Sequence, residues 1–182
     1  MRSPQSLPPV RRVEYPNWEI GSHDWTGSEG GSLLFWVTFV LVSACDYLSK
    51  NWIRQNFALG ESRKILGSFL RFTHWSNSGA SFGILQGAAP YLALISVGCI
   101  ILAILIYPKF KSAGPMGVIS LGLIAGGALG NLLDRVRFGS VTDFISLSFF
   151  PPIFNVADCA IVTGAVLMAV FFLLTPEGRF EE

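Results

Sequence analysis

The stretch that decides the fold is MGVISLGLIAGGALGNLLDR, residues 116–135, which carries no charged side chain before Asp134. A helix of about 20 mostly apolar residues is long enough to cross the hydrocarbon core of a bilayer. Gly122, Gly126 and Gly130 are spaced by four, so they share one helix face and let a neighbouring helix approach closely. Asp134 is the next residue on that face. The stretch therefore predicts a membrane-spanning helix that directs a carboxylate at its neighbour.

The composition of the whole chain agrees with a membrane protein. Of 182 residues, 51% are hydrophobic and only 14% are charged, whereas a soluble domain carries about 25% charged residues. The formal net charge is +1, which leaves no electrostatic excess to bind a phosphate backbone. We therefore expect membrane lipid as a partner and no nucleic acid.

Charge-free stretches locate two further spans, and the remaining span, nearest the N-terminus, carries Asp46 near its end. No Asp, Glu, Lys or Arg occurs in residues 72–108, 112–133 or 159–176. With turn residues trimmed from the ends of these stretches, we predict spans at residues 32–50, 89–107, 116–134 and 155–174. The predicted fold class is a mainly α membrane protein with four transmembrane helices.

The remaining segments differ from the spans in composition. Residues 51–85 combine aromatic and β-branched side chains with spaced glycines, which predicts a small extramembrane β element between the first and second helices. Residues 1–31 contain no long apolar run, and we expect a disordered or surface-lying extension there. The membrane domain is then residues 32–176, followed by a short tail at residues 177–182.

Polar side chains converge on one side of the membrane if the four spans alternate in direction. An ionisable group inside a span costs at least about 2.5 kcal/mol, so it is retained mainly where it is paired or functional. The converging residues lie at the end of span one, the end of span three, the segment that follows it and the start of span four: Asp46, Lys50, Asn131, Asp134, Arg135, Asp143, Asn155 and Asp158.

Helical spacing suggests local roles for four of these residues. Asp46 and Lys50 are four apart with the acid first, which favours an ion pair, and we expect that pair at the water boundary, where lysines commonly snorkel. Asn155 and Asp158 are three apart and project from one face, and Asn155 is also placed to cap the fourth helix.

The chemistry open to this set is limited. His23 and His74 are far apart in sequence and no His-Glu-x-x-His motif occurs, so we expect no metal and no other cofactor. Cys159 has no histidine beside it to act as a base. Two aspartates held close together cannot both ionise, so one keeps a proton while the other activates water. The pattern favours peptide hydrolysis without a covalent intermediate, and the alternative is a small proton- or cation-coupled transporter that uses the aspartates as relay groups.

Five motifs, in this order along the chain, resemble those of the bacterial lipoprotein signal peptidases, or type II signal peptidases. They are DYLSK at residues 46–50, NSGASF at residues 77–82, GNLLDR at residues 130–135, VTDF at residues 141–144 and FNVAD at residues 154–158.

The resemblance implies an intramembrane aspartic endopeptidase. Such enzymes remove signal peptides from diacylglyceryl-modified prolipoproteins and cut before the lipidated cysteine. It also implies that Asp143 and Asp158 are the catalytic pair. By the same motif matching, the supporting or substrate-positioning residues are Asn131, Asp134, Arg135, Asn155, Asn77, Asp46 and Lys50.

The resemblance further implies a multi-pass protein of the bacterial cytoplasmic (inner) membrane. Both termini are expected in the cytoplasm and the active site toward the outer face, an orientation that the charges of the loops leave open. We expect a monomer. Asp134 is the alternative to Asp143. It adjoins Arg135, however, and a carboxylate held by a guanidinium is better suited to a structural contact than to proton transfer.

Overall fold

Four long helices form the main body of the protein. The computed structural model describes residues 28–79, 87–110 and 114–174. Within these ranges the helices are α1 (Ser28–Asn56), α2 (Ala89–Phe110), α3 (Pro115–Phe138) and α4 (Val156–Leu174). All four are long and apolar enough to cross a membrane. The predicted set of four spanning helices is confirmed.

Three helices extend further than the sequence predicts, and α2 does so by three residues, to Phe110. α1 runs six residues beyond Lys50, because the charged residues near its end are accommodated between helices and do not mark a water boundary. α3 continues past Asp134 to Phe138 and ends at Gly139, whose left-handed conformation (φ 69°) lets its N–H bond to the carbonyl of Arg135 at 3.0 Å. Residues 28–31, predicted as part of the extension, belong to α1, while residues 1–27 and the tail at residues 177–182 lie outside the described residues.

α3 is the central helix of the bundle. In its most apolar window 61% of residues are buried, against 17–22% in the other three helices. A Cβ on Gly126 would lie 2.8 Å from the carbonyl oxygen of Phe39 in α1, and one on Gly127 would lie 2.5 Å from that of Ala157 in α4. The glycines therefore allow α1 and α4 to pack directly on the backbone of α3.

A four-stranded antiparallel sheet lies in order β1-β2-β3-β4. Its strands are β1 (Ser62–Leu66), β2 (Leu70–Asn77), β3 (Val141–Leu147) and β4 (Phe150–Phe154). β1 and β2 confirm the predicted β element between the first two helices. β3 and β4 were not predicted, because the segment between α3 and α4 is short and contains Pro151 and Pro152. Both prolines are tolerated since β4 is an edge strand.

The sheet is held against the end of α1. Ile53 of α1 and Phe57, the residue that follows α1, form a buried cluster with Phe144 of β3, and Phe72 of β2 packs against it. This contact fixes the position of β3, the strand that carries Asp143, relative to the helices.

Candidate active site

Asp143 lies on β3 and is almost fully buried, with 2% of its surface exposed. Its Oδ1 accepts a hydrogen bond from Nδ2 of Asn155 at 2.6 Å, and its Oδ2 accepts one from Nδ2 of Asn77 at 2.9 Å. Burial, reinforced by the negative charge of Asp158, raises the pKa of Asp143 to about 7, although both amide bonds act in the opposite direction. A substantial fraction of Asp143 is therefore protonated at neutral pH.

Asp158 lies in the first turn of α4 and belongs to a reciprocal capping arrangement. The backbone N–H of Asp158 donates to Oδ1 of Asn155 at 2.9 Å, and the backbone N–H of Asn155 donates to Oδ2 of Asp158 at 3.2 Å. The predicted cap by Asn155 is confirmed. Because Asn155 also bonds to Asp143, one side chain sets the start of α4 and joins both aspartates.

Asn131 of α3 completes the link between the two carboxylates. Its Nδ2 donates to Oδ1 of Asp158 at 2.8 Å, and its Oδ1 accepts a bond from Asn155 at 3.2 Å. The hydrogen bonds that reach the Asp143 and Asp158 side chains therefore come from amide groups. An amide can donate to a carboxylate without neutralising its charge, so each aspartate remains able to exchange a proton.

Both aspartates open onto one cavity of about 170 Å³. A water molecule takes up about 30 Å³ in the liquid, so the cavity has room for several waters or a short stretch of peptide. The residues lining it are Asn77, Gly79, Asn131, Arg135, Val141, Asp143 and Asp158.

The predicted ion pair between Asp46 and Lys50 forms, with Nζ of Lys50 2.7 Å from Oδ2 of Asp46. Its predicted location at the water boundary is wrong: both residues are fully buried. Nζ of Lys50 also donates to Oδ1 of Asn131 at 2.9 Å, and Oδ1 of Asp46 accepts from the backbone N–H of Ala157 at 2.9 Å. The pair therefore connects α1 to α3 and α4 directly behind the cavity, where burial of a charge requires such partners.

Asp134 is held between neighbouring elements, but its predicted partner is wrong. Arg54, and not the adjacent Arg135, donates to Oδ1 of Asp134 at 3.1 Å. Oδ2 accepts from the backbone N–H of Thr142 at 2.9 Å, and Nζ of Lys50 lies 3.8 Å away. Because Asp134 is paired with a cation and lies outside the cavity lining, it is less suited than Asp143 to transfer protons.

Arg135 lies on the cavity wall beside the two aspartates. Its NH1 donates to the backbone carbonyl of Asn131 at 3.4 Å, four residues earlier in α3. Asn131 and Arg135 are four residues apart in α3, so they share one stripe of the helix. A guanidinium there supplies positive charge at the edge of the cavity, where it can bind a carbonyl or developing oxyanion of a bound peptide.

Comparison with known proteins identifies the family. A family model described as Signal peptidase (SPase) II matches residues 38–174. The chain belongs to the signal peptidase II family. This is a family of aspartic peptidases, so the chain is a hydrolase, which favours the peptidase prediction over the transporter alternative.

Two relatives align with this signal peptidase II family member over nearly their full length. A lipoprotein signal peptidase of Syntrophomonas wolfei is 44% identical over 148 residues, which cover 81% of this chain and 97% of the relative. One from Moorella thermoacetica is 42% identical over 145 residues, covering 80% and 95%.

Two solved structures share the fold. Both are bacterial membrane enzymes solved by the in meso method, one at 2.3 Å and one at 1.9 Å resolution. The first has a TM-score of 0.72 at 31% identity and covers 76% of this chain and 87% of the other. The second has a TM-score of 0.71 at 30% identity and covers 78% and 94%.

Arg54 is the residue near the site that sequence reasoning missed. Its NH1 donates to Oδ1 of Asp134 and to Oγ1 of Thr142 at 2.9 Å, so it ties α1 to α3 and to the strand residue next to Asp143. The signal was present in the sequence: Arg54 lies four residues after Lys50, which itself lies four after Asp46, so all three share one helix face.

Proposed function

We propose that this signal peptidase II family member removes the signal peptide from diacylglyceryl-modified prolipoproteins, cutting before the lipidated cysteine. Asp143 and Asp158 are its catalytic pair. The observation that carries the proposal is the geometry of these two carboxylates, which line one cavity and are both bonded to Asn155, Asp143 through its side-chain amide and Asp158 through its backbone N–H. The names of the relatives, lipoprotein signal peptidases, support the substrate class.

The reaction uses one protonated and one ionised carboxyl group. Asp143, with its pKa raised to about 7, holds the proton, and Asp158, which also lines the cavity, is the general base. The Asp158 carboxylate takes a proton from a cavity water as that water attacks the scissile carbonyl, while Asp143 donates a hydrogen bond to the oxyanion that forms. The amide nitrogen is then protonated and the signal peptide leaves.

The supporting residues hold the two carboxyl groups in position. Asn77 and Asn155 donate to Asp143, and Asn131 donates to Asp158. Lys50 and Asp46 fix Asn131 from behind, while Asp134 fixes β3 through the backbone of Thr142. Arg135 at the cavity wall binds a carbonyl of the substrate backbone.

The enzyme works as a monomer in the cytoplasmic membrane of a bacterium. Both termini lie in the cytoplasm and the cavity faces the outer side. The apolar signal helix enters between the spans from the bilayer, and the acyl chains of the substrate remain in lipid. Lys109, in the last turn of α2, and Lys111, which follows α2 in the sequence, favour the cytoplasm for the side opposite the cavity.

A gel-shift cleavage assay tests the proposal. The full chain is reconstituted in liposomes with a diacylglyceryl-modified precursor, and the same precursor without the lipid serves as the substrate control. The wild type should release the signal peptide from the lipidated form only, and Asp143→Asn and Asp158→Asn should each abolish release.

Glu61→Gln provides the matched carboxyl-to-amide control, because Glu61 lies outside the site and pairs with the exposed Arg63. It should leave cleavage unchanged. Appreciable activity in either catalytic variant would refute the pair, and efficient cleavage of the unlipidated precursor would refute the substrate class.

A further inference from the structure

Two turns of the sheet, β1–β2 and β3–β4, meet at the end of the sheet that lies away from Asp143. In the β2–β3 pairing, Trp75 lies opposite Asp143 near one end, and Leu70 lies opposite Leu147 at the other. At that second end the backbone N–H of Ser148 donates to the carbonyl of Phe69 at 3.0 Å. The rings of Phe69 and Phe149 are 5.6 Å apart. The β1–β2 and β3–β4 turns therefore form one continuous surface.

This surface, here called the hairpin tip, is apolar and exposed. It consists of Ile65, Leu66, Phe69, Phe149 and Phe150, whose exposed fractions range from 41% to 68%. Among the described residues outside the four helices, only two other large apolar side chains are comparably exposed. A cluster of this kind on a surface marks a contact with an apolar partner.

Two cations flank the hairpin tip. Lys64 of β1 and Arg71 of β2 are cross-strand neighbours, and both are exposed. Like charges directly opposite each other destabilise a sheet, and across the described residues no ion pair involves either of them. The chain has no acidic residue between Glu61 and Asp134. The hairpin tip is therefore flanked by two positive charges that no described carboxylate compensates, which favours an anionic partner.

The sheet cannot move far from the membrane surface. Only residues 57–61 separate the end of α1 from β1. Trp52 in the last turns of α1 contacts Phe72 of β2, with ring centroids 6.3 Å apart. Interfacial surfaces that combine aromatic and aliphatic side chains with Lys or Arg bind the boundary between acyl chains and anionic headgroups.

We propose that the hairpin tip docks into the anionic lipid surface of the membrane that the four helices cross. Its apolar side chains enter the acyl boundary, and Lys64 and Arg71 bind lipid phosphates. β3 connects the tip to the cavity: Asp143 lies four residues from Leu147, or about 13 Å along a strand. The docked tip thus sets the depth of Asp143 relative to the bilayer. This docking does not depend on the cleavage reaction.

Photo-crosslinking in the absence of any substrate tests the proposal. The full chain carries p-benzoylphenylalanine in place of Phe149, and a matched control carries it in place of Ser76, an exposed residue at the other end of β2. Both are reconstituted in vesicles of equal parts phosphatidylglycerol and phosphatidylcholine, irradiated, and analysed by mass spectrometry. We expect lipid adducts at position 149 that favour phosphatidylglycerol at least fivefold, since each cation near an anionic surface contributes about a fivefold preference, and little adduct at position 76.

Lys64→Gln combined with Arg71→Gln should bring the two lipid adducts at position 149 to equal yield, with the fold checked by circular dichroism. Absence of lipid adducts at position 149 would overturn the proposal. So would equal yields of the two lipids in the otherwise unchanged chain, or crosslinks to a second copy of the protein instead of lipid. Because no precursor is present, these results stand whether or not the cleavage assay succeeds.

Discussion

Two adjacent regions of the protein each hold a pair of aspartates, but with different partners. Behind the cavity, the carboxylates of Asp46 and Asp134 are neutralised by Lys50 and Arg54. At the cavity, Asp143 and Asp158 receive their side-chain bonds from asparagines. The two regions touch at a single side chain, Asn131, which accepts from Lys50 and donates to Asp158.

This difference in partners distinguishes structural carboxylates, which hold the fold together, from chemical carboxylates, which can take part in a reaction. A cation in direct contact holds a buried carboxylate ionised and fixed in place, which favours a brace. Amides orient a carboxylate and leave its proton exchangeable, which favours general acid–base chemistry. Sequence alone shows four aspartates near one face of the membrane, and the identity of their neighbours assigns them to two groups.

The substitution Asp143→Asn should have the largest effect, and it tests whether Asp143 belongs to the chemical carboxylates. Cleavage of a lipidated precursor should fall by about 10³-fold or more, because an amide cannot transfer the proton. The melting temperature in detergent should stay close to that of the wild type, since Asn can keep an acceptor for Asn155. A large loss of thermal stability would instead place Asp143 among the structural carboxylates.

Lys50→Met tests the region behind the cavity, where Lys50 and Arg54 pair with Asp46 and Asp134. It leaves Asp46 buried without its partner, and we expect a loss of about 3–5 kcal/mol in stability, measured by thermal unfolding in detergent. The double variant Lys50→Met with Asp46→Asn should lose less than Lys50→Met alone, because no uncompensated charge remains and the Asn oxygen can still accept from Ala157. Equal or greater loss in the double variant would contradict the brace.

Arg54→Gln tests whether the brace supports the catalytic strand. The change removes the bonds to Asp134 and Thr142, each part of the connection between α1 and β3, so we expect about 1–3 kcal/mol of lost stability and about tenfold slower cleavage. Arg54→Lys keeps the charge but not the planar guanidinium that bonds to Asp134 and Thr142. Its stability and cleavage rate should lie between those of Arg54→Gln and the wild type. An unchanged cleavage rate in Arg54→Gln would show that β3 is positioned without it.

The smallest expected effect is a displaced pH profile in Asn77→Ala. The amide of Asn77 stabilises the ionised form of Asp143 and so lowers its pKa; without it the pKa rises further above its ordinary range. If the protonated form of Asp143 is the active one, kcat/KM falls as pH rises through about 7 in the wild type. In Asn77→Ala that decline should move to higher pH. A shift to lower pH would indicate that Asp143 acts in its ionised form.

Much of the fold was predictable because the bilayer imposes a simple requirement. Mostly apolar runs of sufficient length gave all four helices, and the glycines at 122, 126 and 130 gave the close packing of α3 on α1. The helix ends were less predictable. Charged residues such as Lys50 and Arg54 mark a membrane boundary only when they face water, and here they face other helices.

The amino-acid sequence by itself determined the four spans, the spacing that sets Asp134 and Asn155 on their helix faces, and the resemblance that singles out Asp143 and Asp158. Only the tertiary structure decided that Arg54, and not Arg135, neutralises Asp134, and that β3 and β4 complete the sheet that holds Asp143. The physical reason is the distance along the chain over which each effect acts. Helix periodicity and hydrophobic length act between residues a few positions apart, whereas Arg54 and Asp134 are 80 residues apart in the chain. Their contact exists only because the helices pack.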